Sequence, residues 1–579
     1  MIDSQAMARG RSQATDAAPS GAPGPSRWPA GWPAALFAAF AGLSVLVYAQ
    51  ALRGPFVSDD IGYLVTHPYT AQLDAESLWA ILDPRSPAKL YAANYAPVHL
   101  LLTAIERQIF ADALLGYHLV NVALHALVAV LLVALFRGAD IPGRAALAGG
   151  LFFLVHPANV EAVAWASQLK TLAALALSLL ALLALRRRPL AALSLFALAL
   201  LAKASALAAL PAAAVWVHCW GDRGQARRAG LWLLGWLLVA CLYAIPQYAS
   251  FAHLGAVEVE AFEDPWVQAR TIAAVGMRYL VMAATSYGVS AFQEPAPATS
   301  WLDPWWLASL PAAMLLGWRT VSMLKARRVE AAFWIAALAA FAPVSQLFPF
   351  LNPVADRYLY FILPGLIGGV LLAGRDLLER GAARGISGPL RTGLARAAAA
   401  AFALLLVGLA VRSADRARLW RSETLLLLDA ARHYPEGGTA HFLRARSAAR
   451  SGDVEGAVAA LREAAERGMD RFMALPRDPG LAPIRDEPAF RALVREIAGR
   501  WIERAQRRGY STRSELRVLG LAHHEREEYA EAVAAYEAAL RAPGPENAAL
   551  LAELAEARSR LAEQSAAGDG GIPDRTPEP

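Results

Sequence analysis

Eleven apolar stretches recur between Pro33 and Arg412, and arginines cluster at alternate junctions between them. In hydrocarbon no water is present to bond a free N–H or C=O, so a chain crossing it must satisfy its backbone internally. Runs of this length therefore read as membrane helices, which need about 20 apolar residues each. The stretches are 33–52, 117–136, 145–157, 162–185, 189–202, 204–220, 229–249, 305–323, 330–349, 358–374 and 395–412. Composition agrees: 56% of the 579 residues are hydrophobic and 18% charged, against about 25% charged in soluble domains. Mean hydropathy is +0.34, and a wholly soluble multidomain chain is excluded.

Arg137 and Arg144, Arg186 to Arg188, Arg223, Arg227 and Arg228, Lys325, Arg327 and Arg328, and the run from Arg375 to Arg396 fall on one set of ends. The positive-inside rule makes those ends cytoplasmic. The opposite ends, 53–116, 156–161, the Lys203 turn, 250–304 and 350–357, are then outer segments. Eleven spans with a cytoplasmic start place everything after Arg412 outside, so the expected location is an inner membrane with a periplasmic tail. The formal charge of +6 punctuates apolar runs instead of coating a folded surface, which argues against a nucleic-acid partner and for membrane lipids. Two cysteines, Cys219 and Cys241, exclude a disulfide framework or a cysteine zinc site.

Residues 1–30 are rich in Gly, Ala, Ser and Pro and read as a disordered leader. Pro33–Leu52 is read as an uncleaved first span, so 31–412 forms the membrane domain. Residues 413–563 change character. The segments 439–468 and 514–541 carry paired-helix periodicity, and Leu519, Gly520, Tyr529, Ala532, Tyr536 and Ala539 fall where a tetratricopeptide repeat of about 34 residues needs them. Residues 564–579 read as a polar, disordered end. The expected fold is all-α: a polytopic helical bundle with a C-terminal domain of TPR-like repeats.

Three outer segments carry candidate chemistry. Phe56-Val57-Ser58-Asp59-Asp60 places two carboxylates side by side, and like charges raise one pKa toward base strength. Such a group takes a proton from a hydroxyl; a solvated loop capping a helix near Ile61 is the alternative. Tyr91–Phe110 has helical apolar spacing suited to an interfacial helix. In Val155-His156-Pro157-Ala158-Asn159-Val160-Glu161, Pro157 stops one helix and Asn159 is placed to cap the next. Glu161 then either complements a helix N-terminus or faces an outer cavity with His156. Lys203 sits in the turn of a short hairpin, and Asp356-Arg357-Tyr358-Leu359-Tyr360 brings a guanidinium fork suited to phosphate oxygens to the start of a span. There is no P-loop, no Gly-rich nucleotide turn and no HExxH pattern, so no metal or other cofactor is expected.

The pieces FVSDD, NYAPVHLLLTAIERQIF, GYHLVNVALHALVAVLLVALF, LFFLVHPANVEAVAW, LALLAKASALAALP, APVSQLFPF and ADRYLYFILP, in this order and followed by a repeat tail, resemble the transmembrane and tetratricopeptide-repeat-containing protein O-mannosyltransferases and their bacterial relatives. That family lies in the C-type glycosyltransferase superfamily. The resemblance implies a metal-independent inverting transferase taking a sugar from a polyprenyl-phosphate carrier on the outer face. It implies Asp59, Asp60 and Glu161 as catalytic residues, and His156, Lys203, Arg357 and Tyr360 as substrate-binding residues. Relatives carry SGRKDLL where this chain reads Ser167-Gln168-Leu169-Lys170-Thr171-Leu172-Ala173, and SKE where it reads Ala202-Lys203-Ala204; the sugar is therefore left open. The expected activity is transfer to a hydroxyl of an exported protein recruited by the tail. A lipid or glycan acceptor, or a non-enzymatic scaffold on a degenerate transferase body, are the alternatives.

Overall fold

The computed structural model describes residues 29, 31–86, 88, 94–252, 262, 264–347, 352–383, 388–511, 513–542 and 548–569. The leader over 1–28 and the chain after 569 lie outside these residues, as do most of 87–93 and residues 348–351. Among the described residues the chain is helical throughout, with one isolated antiparallel bridge between Gln293 and Val354.

The membrane body runs from α1 (Trp32–Tyr48) through α2 (Ala75–Leu82) and α3 (Pro97–Phe110) in the first outer segment. It continues with α4 (Leu114–Gly138), α5 (Gly143–Leu154), α6 (Val160–Ala164), α7 (Leu169–Ala184), α8 (Pro189–Ala202), α9 (Ala209–His218) and α10 (Arg223–Ala252). Next come α11 (Pro265–Thr285), α12 (Pro304–Lys325), α13 (Glu330–Phe341), α14 (Asp356–Ala383) and α15 (Gly388–Leu419). Among the described residues six helices are long and apolar enough to cross a membrane, and a seventh crossing arises if α5 and α6, bent by 52° around Pro157, are one span. The apolar helices Trp32–Tyr48, Pro189–Ala202, Ala204–His218 and Glu330–Val344 are shorter.

The bundle sorts its helices by burial. The most apolar window of Ala166–Ala184 is 78% buried, whereas those of Pro304–Lys325 and Gly393–Leu419 are each 6% buried. The first is wrapped by protein and the other two present their faces to lipid, where apolar side chains need no cover. Close approach relies on small residues: a Cβ on Gly365 would lie 2.6 Å from both the Phe333 carbonyl oxygen and the Ala337 nitrogen. Helices α13 and α14 thus touch backbone to backbone, the small-residue packing common between membrane helices.

The segment read as an outer loop over 250–304 contains α11, a correction to the expected layout. Near its start Gln268 donates to the carbonyls of Gln346 and Leu347, both at 3.0 Å. Near its end the Ala283 carbonyl accepts from His156 Nε2 at 3.2 Å. Gln346 and Leu347 follow the end of α13 just ahead of the 350–357 segment, and His156 opens the 156–161 segment, so both ends of α11 lie at one end of the bundle. Arg270 and Arg278 broke its apolar pattern; their guanidinium groups sit over the Trp301 and Trp305 rings at 4.2 and 4.4 Å, a favourable pairing at a membrane interface.

The tail comprises α16 (Glu423–His433), α17 (Gly438–Arg450), α18 (Val454–Glu466), α19 (Pro488–Arg508), α20 (Arg513–Glu525), α21 (Tyr529–Arg541) and α22 (Ala548–Asp569). Helix α15 continues unbroken to Leu419, so the expected boundary at 412 falls inside a helix. Residues 564–569 are helical, not irregular. In the α20–α21 pair a Cβ on Gly520 would meet the Tyr536 ring at 2.5 Å, and Tyr536 is fully buried.

Candidate functional site

The loop after α1 separates its two aspartates. Ser58 takes a left-handed backbone, φ +52°, which is uncommon for a residue with a Cβ and clusters at functional sites. Past it the chain turns Asp60 inward and leaves Asp59 exposed. Asp60 is 1% exposed; one carboxylate oxygen accepts from the Val57 amide at 3.1 Å and the other from the Ser167 amide at 2.7 Å. Burial pushes its pKa up to about 7, although the two amides pull it down, and Asp59 adds a small upward push. The expected solvated loop therefore holds only for Asp59, which makes no hydrogen bond among the described residues. Asp60 is instead the clasp that joins the 54–66 loop to the turn before α7. Trp165 reinforces the clasp, its Nε1 donating to the Val57 carbonyl at 3.2 Å.

The HPANVE turn is capped differently from expectation. His156 Nδ1, not Asn159, accepts from the Ala158 amide at 3.2 Å, while Asn159 Nδ2 donates to the Phe153 carbonyl at 2.7 Å. With Nε2 donating to Ala283, both ring nitrogens of His156 are bonded to backbone. Tyr360 is displaced from the expected site. It is fully buried, its hydroxyl bonded to His125 Nδ1 at 3.0 Å.

Glu161, 2% exposed, faces Arg357. One carboxylate oxygen accepts from the Arg357 amide at 2.7 Å and the other forms an ion pair with its guanidinium. Both oxygens are thus committed, and Glu161 acts as an anchor for Arg357 instead of a free base. The guanidinium, 14% exposed, lies over the rings of Trp165 and Tyr358 at 5.4 and 4.9 Å. Asp59 and Lys203 are near enough to act on Arg357 electrostatically. Lys203 Nζ donates to Thr171 Oγ1 at 2.7 Å, and Lys170 Nζ donates to the Tyr63 hydroxyl at 3.1 Å and sits 4.4 Å from its ring centre.

The cluster therefore brings together Asp59, Asp60, Glu161, Lys203 and Arg357. Lys170 and Tyr63 were not anticipated as site residues; the signal was a lone lysine at the head of an apolar run. No group of three or more His, Cys, Asp or Glu side chains suited to a metal ion occurs among the described residues. Chemically, an exposed carboxylate lies within electrostatic reach of a guanidinium fixed by Glu161, with the amino groups of Lys170 and Lys203 nearby, a set of basic groups suited to an anion.

The molecule is a multi-pass helical membrane protein with an ionisable cluster at one end. Its sequence is similar to protein O-mannosyl-transferase TMTC1 of Homo sapiens, 32% identical over 133 residues, covering 22% of this chain and 15% of that protein. The Mus musculus protein of the same name is 33% identical over 158 residues, covering 26% and 16%. Protein O-mannosyl-transferase Tmtc1 of Drosophila melanogaster is 44% identical over 162 residues, covering 26% and 18%. The chain thus matches less than a fifth of the length of these curated relatives. No family model matches, and no solved structure does either.

Proposed function

We propose that this protein is a membrane glycosyltransferase that moves a sugar from a polyprenyl-phosphate carrier to a hydroxyl of an exported protein on the outer face. The observation that carries the reading is an exposed Asp59 within electrostatic reach of an Arg357 held by both oxygens of Glu161. Asp59 accepts the proton of the acceptor hydroxyl, the oxygen attacks the anomeric carbon, and the bond from that carbon to the phosphate oxygen breaks. The electron pair leaves on the phosphate, where Arg357 and Lys203 oppose the developing charge. A single displacement of this kind inverts the anomeric centre. The names of the relatives and the placement of the cluster beside apolar helices support this chemistry.

The test is transfer of radiolabelled sugar, mannosyl donor first, from polyprenyl phosphate by purified full-length protein. Asp59→Asn keeps shape and loses the base, so turnover should fall by about 10²–10⁴ with folding intact at this exposed site. Unchanged turnover would remove Asp59 from the mechanism. Glycoproteomics of exported proteins with and without the chain identifies the acceptor; an unaltered protein glycome with an altered lipid or glycan would replace the protein acceptor.

A further inference from the structure

The first helix of the tail is tied to the residue next to Arg357. Asp356 opens α14 and is 1% exposed. Its carboxylate accepts from the Ser290 amide at 3.2 Å and from Gln293 Nε2 at 2.5 Å, and lies 3.9 Å from Arg416 NH2. Arg416, in the last turn of α15, reaches over to Asp429 of α16 with NH2 at 3.1 Å and NH1 at 3.3 Å. Asp429 returns to the same loop, accepting from the Ser290 hydroxyl at 3.2 Å. Two further tail contacts grip this loop: Tyr434 donates to Gln293 Oε1 at 3.3 Å, and the Thr439 hydroxyl to Glu294 Oε1 at 2.6 Å. Residues 290–294 are therefore clamped between the start of α14 and the first two tail helices, and the Gln293–Val354 bridge closes the clamp.

The electrostatics make this more than a tether. Arg416 and Asp429 are 10% and 11% exposed at their side chains. One buried cation serves two buried carboxylates, so neutralising Asp429 leaves Asp356 as the carboxylate that pairs with Arg416. Without Asp429 the charge of Arg416 is drawn toward Asp356, the residue bonded directly to Arg357. Because Arg357 takes its orientation from its own amide and side chain on Glu161, a shift of the 356–357 peptide strains both contacts.

We infer that Asp429 is a positioning residue for Arg357: the docked tail helix, through Arg416 and Asp356, sets the guanidinium that meets the donor phosphate. The inference uses the proposed transfer reaction only in its activity measurements. Asp429→Asn in the full chain should lower kcat by roughly 5- to 150-fold, the usual range of coupling between sites, with the acceptor KM unmoved. Hydrogen exchange of the amides over 288–294 and 354–358 should quicken in the same variant. Asp429→Glu, which keeps the charge, should recover most of both. Asp470→Asn is the control. Asp470 pairs with Arg504 inside the tail and not with Asp356, Arg416 or the 290–294 loop, so its loss weakens the tail and should leave kcat at saturating acceptor and exchange at 354–358 unchanged. Equal effects of Asp429→Asn and Asp470→Asn, or no change at 354–358 in Asp429→Asn, would overturn the inference. A wild type that transfers nothing from any lipid-phosphate donor, with exchange at 354–358 still raised by Asp429→Asn, would reject the reaction and uphold the coupling.

Discussion

Asp59 and Asp60 are adjacent in the chain and opposite in environment. Two adjacent aspartates are equivalent in a sequence, but the left-handed turn at Ser58 sends one into protein and leaves the other in water. Asp60 has its pKa raised by burial to about 7 from 3.8, so the fold binds its proton more tightly than the unfolded chain does. Stability from this group is present at low pH and is lost as pH rises between about 4 and 7. Glu106 of α3, also raised by burial, to about 8, acts in the same direction. His67, lowered by burial to about 4, acts oppositely, losing stability as pH falls below 6.5. His99, lowered by burial as well, acts with His67. Above pH 6.5 both histidines are neutral folded and unfolded, so the two acids alone act there, and limited proteolysis within 54–110 should become faster between about pH 6.5 and pH 8. Asp60→Asn should flatten the change. Proteolysis independent of pH would show that these groups titrate normally. At Arg357, substitution by Lys keeps the charge and loses the fork, so transfer should fall less than with Arg357→Ala. Glu161→Gln should resemble the lysine variant in turnover, because it frees the guanidinium without removing it. If it instead matched Asp59→Asn in a base-dependent pH profile, Glu161 would be the base.

Among the elements, α14 carries the closest packing. Gly365→Ala drives a methyl into the backbone of α13, and overpacking of this kind costs about 1–3 kcal/mol. Gly374→Ala, on the same helix, meets nothing within 4 Å and should gain roughly 0.5–1 kcal/mol from higher helix propensity. Thermal unfolding in detergent distinguishes them, and equal Tm values would deny the backbone contact. Helix α11 teaches the complementary lesson. Length alone would let its 21 residues cross a bilayer, yet contacts at both of its ends lie on one end of the bundle. Counting it as a span would have reversed the side assigned to the tail.

At the scale of the whole molecule, charge is sorted between two ends. One holds Asp59, Glu161, Lys203 and Arg357 with the docked tail. At the other, Arg319 chelates Glu330 through two bonds of 2.7 and 2.8 Å and reaches Asp376 at 3.0 Å, near the arginine-rich connectors. Reporter fusions after Arg228 should therefore mark the cytoplasm and fusions after Ser565 the outer compartment. A cytoplasmic signal from the tail would place the Asp59–Arg357 cluster inside as well, since tail and cluster share Arg416, and would exclude exported acceptors.

The helical class, the apolar segments and the residue types of the site were legible in the sequence, because burying backbone in hydrocarbon leaves a one-dimensional trace of length and hydropathy. Gly520 beside Tyr536 follows from helix pairing: a small residue opposite a large ring lets two adjacent helices approach. Which residue does what was not legible. Asp59 and Asp60, adjacent in the chain, part at one φ angle. His156 and Tyr360 sit in motifs yet are consumed by Ala158, Ala283 and His125. Glu161 meets Arg357 across 196 positions, and Asp429 meets Ser290 across 139. Such pairings arise where separate helices end at the same level, so only the tertiary structure decides which charge each buried carboxylate answers.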